Sequence, residues 1–216
     1  MLAVAGGKGG VGTTTTVLGL AAALPGRPLA VDADVDVPDL HRLAGLSREP
    51  GLDALSGDRS VEAVSQETDA HDCRVVPAPA ADRGRTDTLL DCLASLTAGT
   101  DGASILVDTP AGASRDAATP LRAADAVLLV STACRPALRD AAKTASMARA
   151  VGTPVVGVLL TRTLVRPPGV EELLGSPVVG TIPDEHPRPL DSRRVRERYG
   201  AVAERLREVT LSEKHP

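Results

Sequence analysis

The 216-residue chain has no tryptophan or phenylalanine and a single tyrosine, Tyr199. Its core must therefore be aliphatic, and it offers no row of rings on which single-stranded bases could stack. The three cysteines, Cys73, Cys92 and Cys134, are odd in number, widely spaced and without a CxxC pair. That pattern predicts reduced, core-packed thiols. The four histidines, His41, His71, His186 and His215, lack metal-ligand spacing and are expected in surface or packing roles. No apolar stretch approaches the ~20 uncharged residues of a membrane span, and the chain opens on a strand instead of a secretory signal, so the expected location is cytoplasmic. A net charge of −4 argues against a generally cationic surface for nucleic acid. No repeat, long linker or low-complexity block divides the sequence, and 43% apolar content suffices for one core, so a single domain over 1–216 is expected.

What is present starts at the N-terminus. The apolar run Leu2-Ala3-Val4-Ala5 leads into Gly6-Gly7-Lys8-Gly9-Gly10-Val11-Gly12-Thr13-Thr14, and then into the proline-free apolar stretch from Thr14 to Ala23. The phosphate-loop pattern G-x-x-x-x-G-K-[ST] fits from Gly7 to Thr14 at every fixed position but one: Thr13 stands where lysine is required. A chain that wraps a phosphate points successive amides inward, which needs dihedrals and close approaches that a Cβ forbids; hence the glycines. The helix that follows adds its N-terminal amides and partial positive charge. Gly7, Lys8, Gly9, Gly10, Val11, Gly12, Thr13, Thr14 and Thr15 form the candidate phosphate-binding segment. The missing lysine removes one charged hydrogen bond, worth about 1.5–3 kcal/mol. Threonine offers one neutral hydrogen bond in its place. Binding spread over several amides survives that loss with affinity lowered by about one to two powers of ten. Hydrolysis suffers more, because charge on the transferring phosphoryl group must be neutralised in the transition state.

Short aliphatic runs bounded by glycine, proline or aspartate predict strands at 2–5, 28–32, 73–77, 104–108, 126–130, 154–160 and 177–180. Helices are predicted between them, at 14–24, 38–45, 60–66, 86–97, 116–123, 135–151 and 193–209. Continuous apolar strands alternating with helices mean an α/β fold: a doubly wound, mostly parallel β-sheet with helices on both faces. In such a sheet a strand ending in acid places carboxylates at its carboxyl edge, beside the phosphate loop. Two strands do so: Leu29-Ala30-Val31 runs into Asp32-Ala33-Asp34, and Ile105-Leu106-Val107 runs into Asp108-Thr109-Pro110-Ala111-Gly112.

The run Lys8-Gly9-Gly10-Val11-Gly12 resembles the deviant Walker A motif of the MinD/ParA group of P-loop ATPases, and the resemblance extends over nearly the whole chain. It implies ATP with magnesium as ligands, and a nucleotide-dependent sandwich homodimer in which Lys8 reaches the partner's phosphates. It further implies that Asp34 orients the attacking water, and that Thr14 and Asp108 hold magnesium with Asp32 supporting its shell. Gly112 would offer its amide to the terminal phosphate. In the second half, Ala124–Val130, the helix Pro136–Ala150 and the strand Val155–Leu160 look like the group's C-terminal sheet. The group follows that strand with Asn-Arg, whose asparagine contacts adenine; here Thr161-Arg162 takes the place, so Thr161 inherits the base contact with fewer donors. Val179–Asp184, with Pro183, resembles the loop that closes over the base or else is an ordinary proline turn. The cysteine pattern departs from that of iron–sulfur relatives of the group.

Seven arginines, Arg188, Arg193, Arg194, Arg196, Arg198, Arg205 and Arg207, face four acids between 188 and 208. ParA relatives touch DNA through a basic surface; a solvated helix face is the favoured alternative for 188–207. Tyr199, Val202, Leu206 and Val209 form a stripe suited to docking on the sheet. The terminal sequence Leu211–Pro216 lacks the lysine- and aromatic-bearing membrane helix of MinD relatives. Two functions follow from the resemblance. One is an ATP-dependent dimerising switch with weak or absent hydrolysis, acting in intracellular positioning or partitioning with a protein partner. The other is a non-hydrolysing partner of an intact paralogue. A biosynthetic ligase of the same fold is disfavoured by Lys8.

Overall fold

The computed structural model of the chain describes residues 1–56, 59–68, 70–78, 92–96 and 103–212, with side chains described up to Glu208 in the last stretch. Eight strands form one sheet: β1 (Leu2–Gly6), β2 (Leu29–Asp32), β3 (Gln66–Thr68), β4 (Cys73–Val76), β5 (Ile105–Asp108), β6 (Ala126–Thr132), β7 (Val155–Thr161) and β8 (Val178–Thr181). Their order is β3-β4-β2-β5-β1-β6-β7-β8, parallel throughout except for the antiparallel pair β3–β4. All seven strands expected from the sequence are present, in the expected parallel arrangement.

Strand geometry sends successive side chains to opposite faces, and the core divides accordingly. Val4, Leu128 and Val130 point into a cluster with α1 (Thr13–Ala21), α2 (Leu40–Leu43) and α8 (Arg193–Ser212). Ala3, Ala5, Val127 and Leu129 point the other way, toward α5 (Arg115–Ala123), α6 (Arg135–Ala150) and α7 (Val170–Leu174). On that second face a further cluster packs α3 (Val61–Val64) and α4 (92–96) against β2, β4 and β5. The sheet is thus covered on both sides, which is why its central strands β1, β2, β5 and β6 are apolar over most of their length.

The single aromatic ring fastens α8 to α1. Tyr199 is buried against Gly19, where a Cβ would overlap the ring, and its hydroxyl lies 3.3 Å from the Thr16 hydroxyl. Val202 and Leu206 join the same cluster, as the expected stripe requires; the Val209 side chain and His215 lie outside the described residues.

Two helical expectations are corrected and a third is met where it is described. The helix expected over 60–66 stops at Val64: Ser60 caps it by accepting the Ala63 amide, Ser65 is extended, and Gln66 begins β3, paired to β4. The helix expected over 38–45 shrinks to Leu40–Leu43, ended by Gly45 at φ 72°. Of the helix expected over 86–97, residues 92–96 are helical; 86–91 and 97 lie outside the described residues. Among the described residues no helix is long and apolar enough to cross a membrane.

Candidate functional site

The carboxyl ends of β1, β2 and β5 converge, because β1 pairs with β5 and β5 with β2, with Asp32 opposite Asp108 in the register. The loop 7–12 leaves β1 there and opens α1. Gly10 and Gly12 sit at φ 76° and 94°, a region L-residues with a Cβ rarely enter. Gly7 is required for a different reason: a Cβ on it would overlap the backbone of Asp140 and Ala141 in α6. Beside Gly9 and Gly10, by contrast, a Cβ would meet nothing within 4 Å, and both residues are exposed, so this part of the loop is open to an incoming ligand. Gly12 supplies no side-chain cap and the first turn of α1 holds no acid, so no carboxylate competes there for an anion. The arrangement fits a phosphate group. Thr13 turns its methyl toward Gly6, 3.0 Å from where a Cβ would stand, and is half-buried.

The acids divide into holders and held. Asp32 is fully buried and accepts the Asp34 amide at 3.0 Å and the Leu40 amide at 3.2 Å, fastening the loop after β2. Burial, aided by the charges of Asp34 and Asp39, pushes its pKa up to about 7 against those two hydrogen bonds. Asp108 is 2% exposed, and its pKa is raised well above the usual range by burial first and by the Asp32 charge second; hydrogen bonding from the Thr14 side chain partly opposes this. Its Oδ1 is buried with no hydrogen-bond partner. Two buried carboxyls, one with an orphaned oxygen, beside a hydroxyl on α1 form a hard-oxygen set that suits magnesium, which takes few protein ligands and completes its shell from phosphate and water. Among the described residues no group of three or more His, Cys, Asp or Glu offers a fuller metal cage. Asp34 is half-buried, with Oδ1 accepting the amides of Asp36 (3.1 Å) and Val37 (3.0 Å).

Lys8 is exposed at the start of the loop, and its charge reaches Cys134, the residue that precedes α6. Cys134 corrects an expectation: Cys73 and Cys92 are buried, but Cys134 is exposed. Its thiol pKa is lowered by the Thr132 hydroxyl (3.3 Å) first, with the Ala137 amide and Lys8 contributing. Residue type alone suggested burial; its place ahead of the expected helix at 135 was the available signal.

Two further residues expected at the ligand are engaged within the chain. The Gly112 amide, expected to face a terminal phosphate, donates to the Gly6 carbonyl at 3.0 Å, and the adjacent Thr109 donates its hydroxyl to the Val4 carbonyl at 3.1 Å. The loop after β5 is thus fastened along β1, and its amide is engaged. Thr161, expected at the base, donates its hydroxyl to the Val11 carbonyl at 2.6 Å. Pro183 is buried close by, since the Ile182 amide donates to the Leu160 carbonyl and the Ile182 carbonyl accepts the Thr163 amide. The structure therefore brings Gly7–Thr15, Asp32, Asp34, Asp108 and Gly112 to one sheet edge, with Thr161 and Pro183 on its β7 side.

A glycine loop between the first strand and first helix, acids ending two neighbouring parallel strands, and helices on both sheet faces define a P-loop nucleotide-binding fold. Residues 2–188 match the CobQ/CobB/MinD/ParA nucleotide binding domain, and the chain belongs to that family. An ATP-binding protein of Methanocaldococcus jannaschii is 32% identical over 176 residues, covering 75% of this chain and 64% of the relative's own length. A putative septum site-determining protein MinD of Emiliania huxleyi is 29% identical over 206 residues, covering 85% of this chain and 74% of that one. In fold, the chain superposes on the cell division ATPase MinD of Pyrococcus furiosus with a TM-score of 0.80 at 23% identity, over 96% of this chain and 98% of that one. The MinD of Pyrococcus horikoshii complexed with Mg-ADP gives 0.81 at 22% identity, over 97% and 96%.

Proposed function

We propose that the chain is a MinD/ParA-like ATP-binding switch: MgATP held at the β1–α1 loop brings two copies together, with slow or absent hydrolysis. The carrying observation is the meeting of an open glycine cradle with the buried, unpartnered Oδ1 of Asp108 beside Thr14. The amides of residues 9–15 hold the phosphates. Thr14 and Asp108, with Asp32 behind them, hold magnesium, which when bound neutralises phosphate charge. Lys8, exposed at the mouth of the loop, reaches the phosphates of a second copy, and Asp34 orients the attacking water.

Thr13 brings no charge to the point where charge develops in transfer. That observation favours slow turnover in the first reading and also a second reading, in which the chain is a non-hydrolysing regulatory or structural partner of an intact paralogue. Relatives named as septum site-determining proteins, and a solved MinC:MinD complex from Aquifex aeolicus, support a role in cytoplasmic positioning or partitioning with a protein partner. DNA contact through residues 188–207 is less favoured, since Arg193 pairs with Glu197 and Arg196 is turned to the carbonyls of Leu190 and Asp191.

Calorimetric titration, phosphate release and sedimentation velocity with MgATP test these readings. ATP is expected to shift monomer toward dimer, Lys8→Ala to abolish the shift, and Asp34→Ala to prolong it. A dimer that forms without nucleotide, or equally in Lys8→Ala, overturns the sandwich. Absence of heat at millimolar ATP overturns nucleotide binding. MgATP binding that brings no two copies together, with association to an intact paralogue instead, selects the second reading.

A further inference from the structure

Thr161 ends β7 and is 5% exposed. Its Oγ1 lies 2.6 Å from the carbonyl of Val11, in the middle of the glycine loop, and 3.3 Å from the carbonyl of Ser131 at the end of β6. A hydroxyl has one proton, and the shorter contact takes it. Val11 is itself anchored, its side chain 2% exposed in the cluster beneath α1, and it stands between Gly10 and Gly12, both at positive φ. Glycine-rich backbone has many conformations to lose, so whatever fixes the one residue between two such glycines fixes the loop.

The Val11–Gly12 peptide is planar and trans, so its C=O and N–H point to opposite sides. Pinning the Val11 carbonyl onto Thr161 turns the Gly12 N–H away from β7. We propose that Thr161 is a positioning residue for the phosphate loop and takes no part in choosing the base. It acts on bound phosphates through Val11, and it serves ATP, GTP and a phosphate chain without a base alike. The proposal rests on the reading of the loop as a nucleotide site, and it reverses the role that the matching position suggests, where an amide side chain meets adenine.

Titrations of magnesium with ATP, GTP and inorganic tripolyphosphate test it on the wild type, Thr161→Val and Thr161→Ser. Loss of one hydrogen bond in Thr161→Val is expected to weaken all three ligands by the same factor, about tenfold. Thr161→Ser, which keeps the hydroxyl, is expected to restore all three. Weakening of ATP with tripolyphosphate unchanged would make Thr161 a base reader and overturn the proposal, as would no change for any ligand. If Thr161→Val does not fold, Thr161→Ala removes the same hydroxyl with less bulk and carries the same expectation. Amide hydrogen exchange of the ligand-free proteins separates this idea from the nucleotide reading. Exchange at residues 10–13 should quicken about tenfold in Thr161→Val and not in Thr161→Ser, at unchanged global stability in urea. If the wild type binds none of the three ligands but the exchange pattern holds, the nucleotide reading fails and the positioning role stands. Equal exchange in all the proteins overturns the positioning role.

Discussion

On the side of the site built by β2 and β5, carboxyl groups crowd together in the interior. Asp32 and Asp108 face each other from adjacent strands, both almost without solvent; burial raises the pKa of each, and the Asp32 charge raises that of Asp108 further. On the side built by the glycine loop, positive charge is sparse and superficial: the segment carries one lysine, exposed, and an uncharged threonine where a second would stand. The two sides are under different constraints. Buried acids with an orphaned oxygen destabilise the ligand-free protein and are tolerable where a cation is received. A half-buried loop side chain such as Thr13 can be exchanged with little effect on the fold. The buried acids and the single exposed lysine of the loop thus lie on structurally separate parts.

The largest effect that would sharpen this contrast is expected from pH. Asp32 and Asp108 titrate higher in the folded chain than the 3.8 of a solvated carboxyl. As pH rises from about 4 through 7, the unfolded chain has released the proton that folded Asp32 still holds, so stability falls across that window, and the raised Asp108 acts in the same direction. Urea unfolding of the ligand-free protein at pH 5 and pH 8 should show greater stability at pH 5. Asp108→Asn should flatten the dependence, and magnesium with ATP should reverse part of it. Equal stability at both pH values would mean that the acid side is not strained.

A smaller effect should separate the fixed and free parts of the loop. Gly7→Ala forces a methyl into the α6 backbone and is expected to destabilise by about 3 kcal/mol. Gly9→Ala meets nothing and should change stability by less than about 0.5 kcal/mol. Urea midpoints compare the two directly, and similar values for both would contradict the packing of Gly7 on α6.

Thr13→Lys would erase the contrast, giving the loop the charge it lacks. It should tighten MgATP binding by about ten- to a hundredfold, the worth of a charged hydrogen bond to phosphate, as read by calorimetry. An unchanged affinity would place another cation, Lys8 foremost, at the same phosphates.

Much of this was legible in the sequence because it depends on neighbours along the chain. The aliphatic runs Leu29–Val31 and Ile105–Val107, each ending in an acid, read as buried parallel strands, and the spaced glycines after Leu2–Ala5 read as a phosphate loop. What was not legible depends on distant partners. Gln66-Glu67-Thr68 has no apolar pattern and becomes a strand only because β4 presents an edge to it. The hydroxyl of Thr161 finds a carbonyl 150 positions away. Gly112 finds Gly6, and Cys134 is exposed because it precedes a helix at the rim of the site. Spacing places a residue near the site; it does not say which neighbour its hydrogen bond will choose.

Tyr199 gives the molecule an optical property. With no tryptophan or phenylalanine, all its aromatic emission and near-ultraviolet dichroism arise from one ring, buried against Gly19 and within hydrogen-bonding distance of Thr16, in the helix that opens at the phosphate loop. Any rotation or tightening of that helix alters the surroundings of the sole chromophore. The chain therefore contains its own unlabelled reporter, carried by α8 and seated against Thr16 and Gly19 of α1, so its signal follows the packing of those two helices.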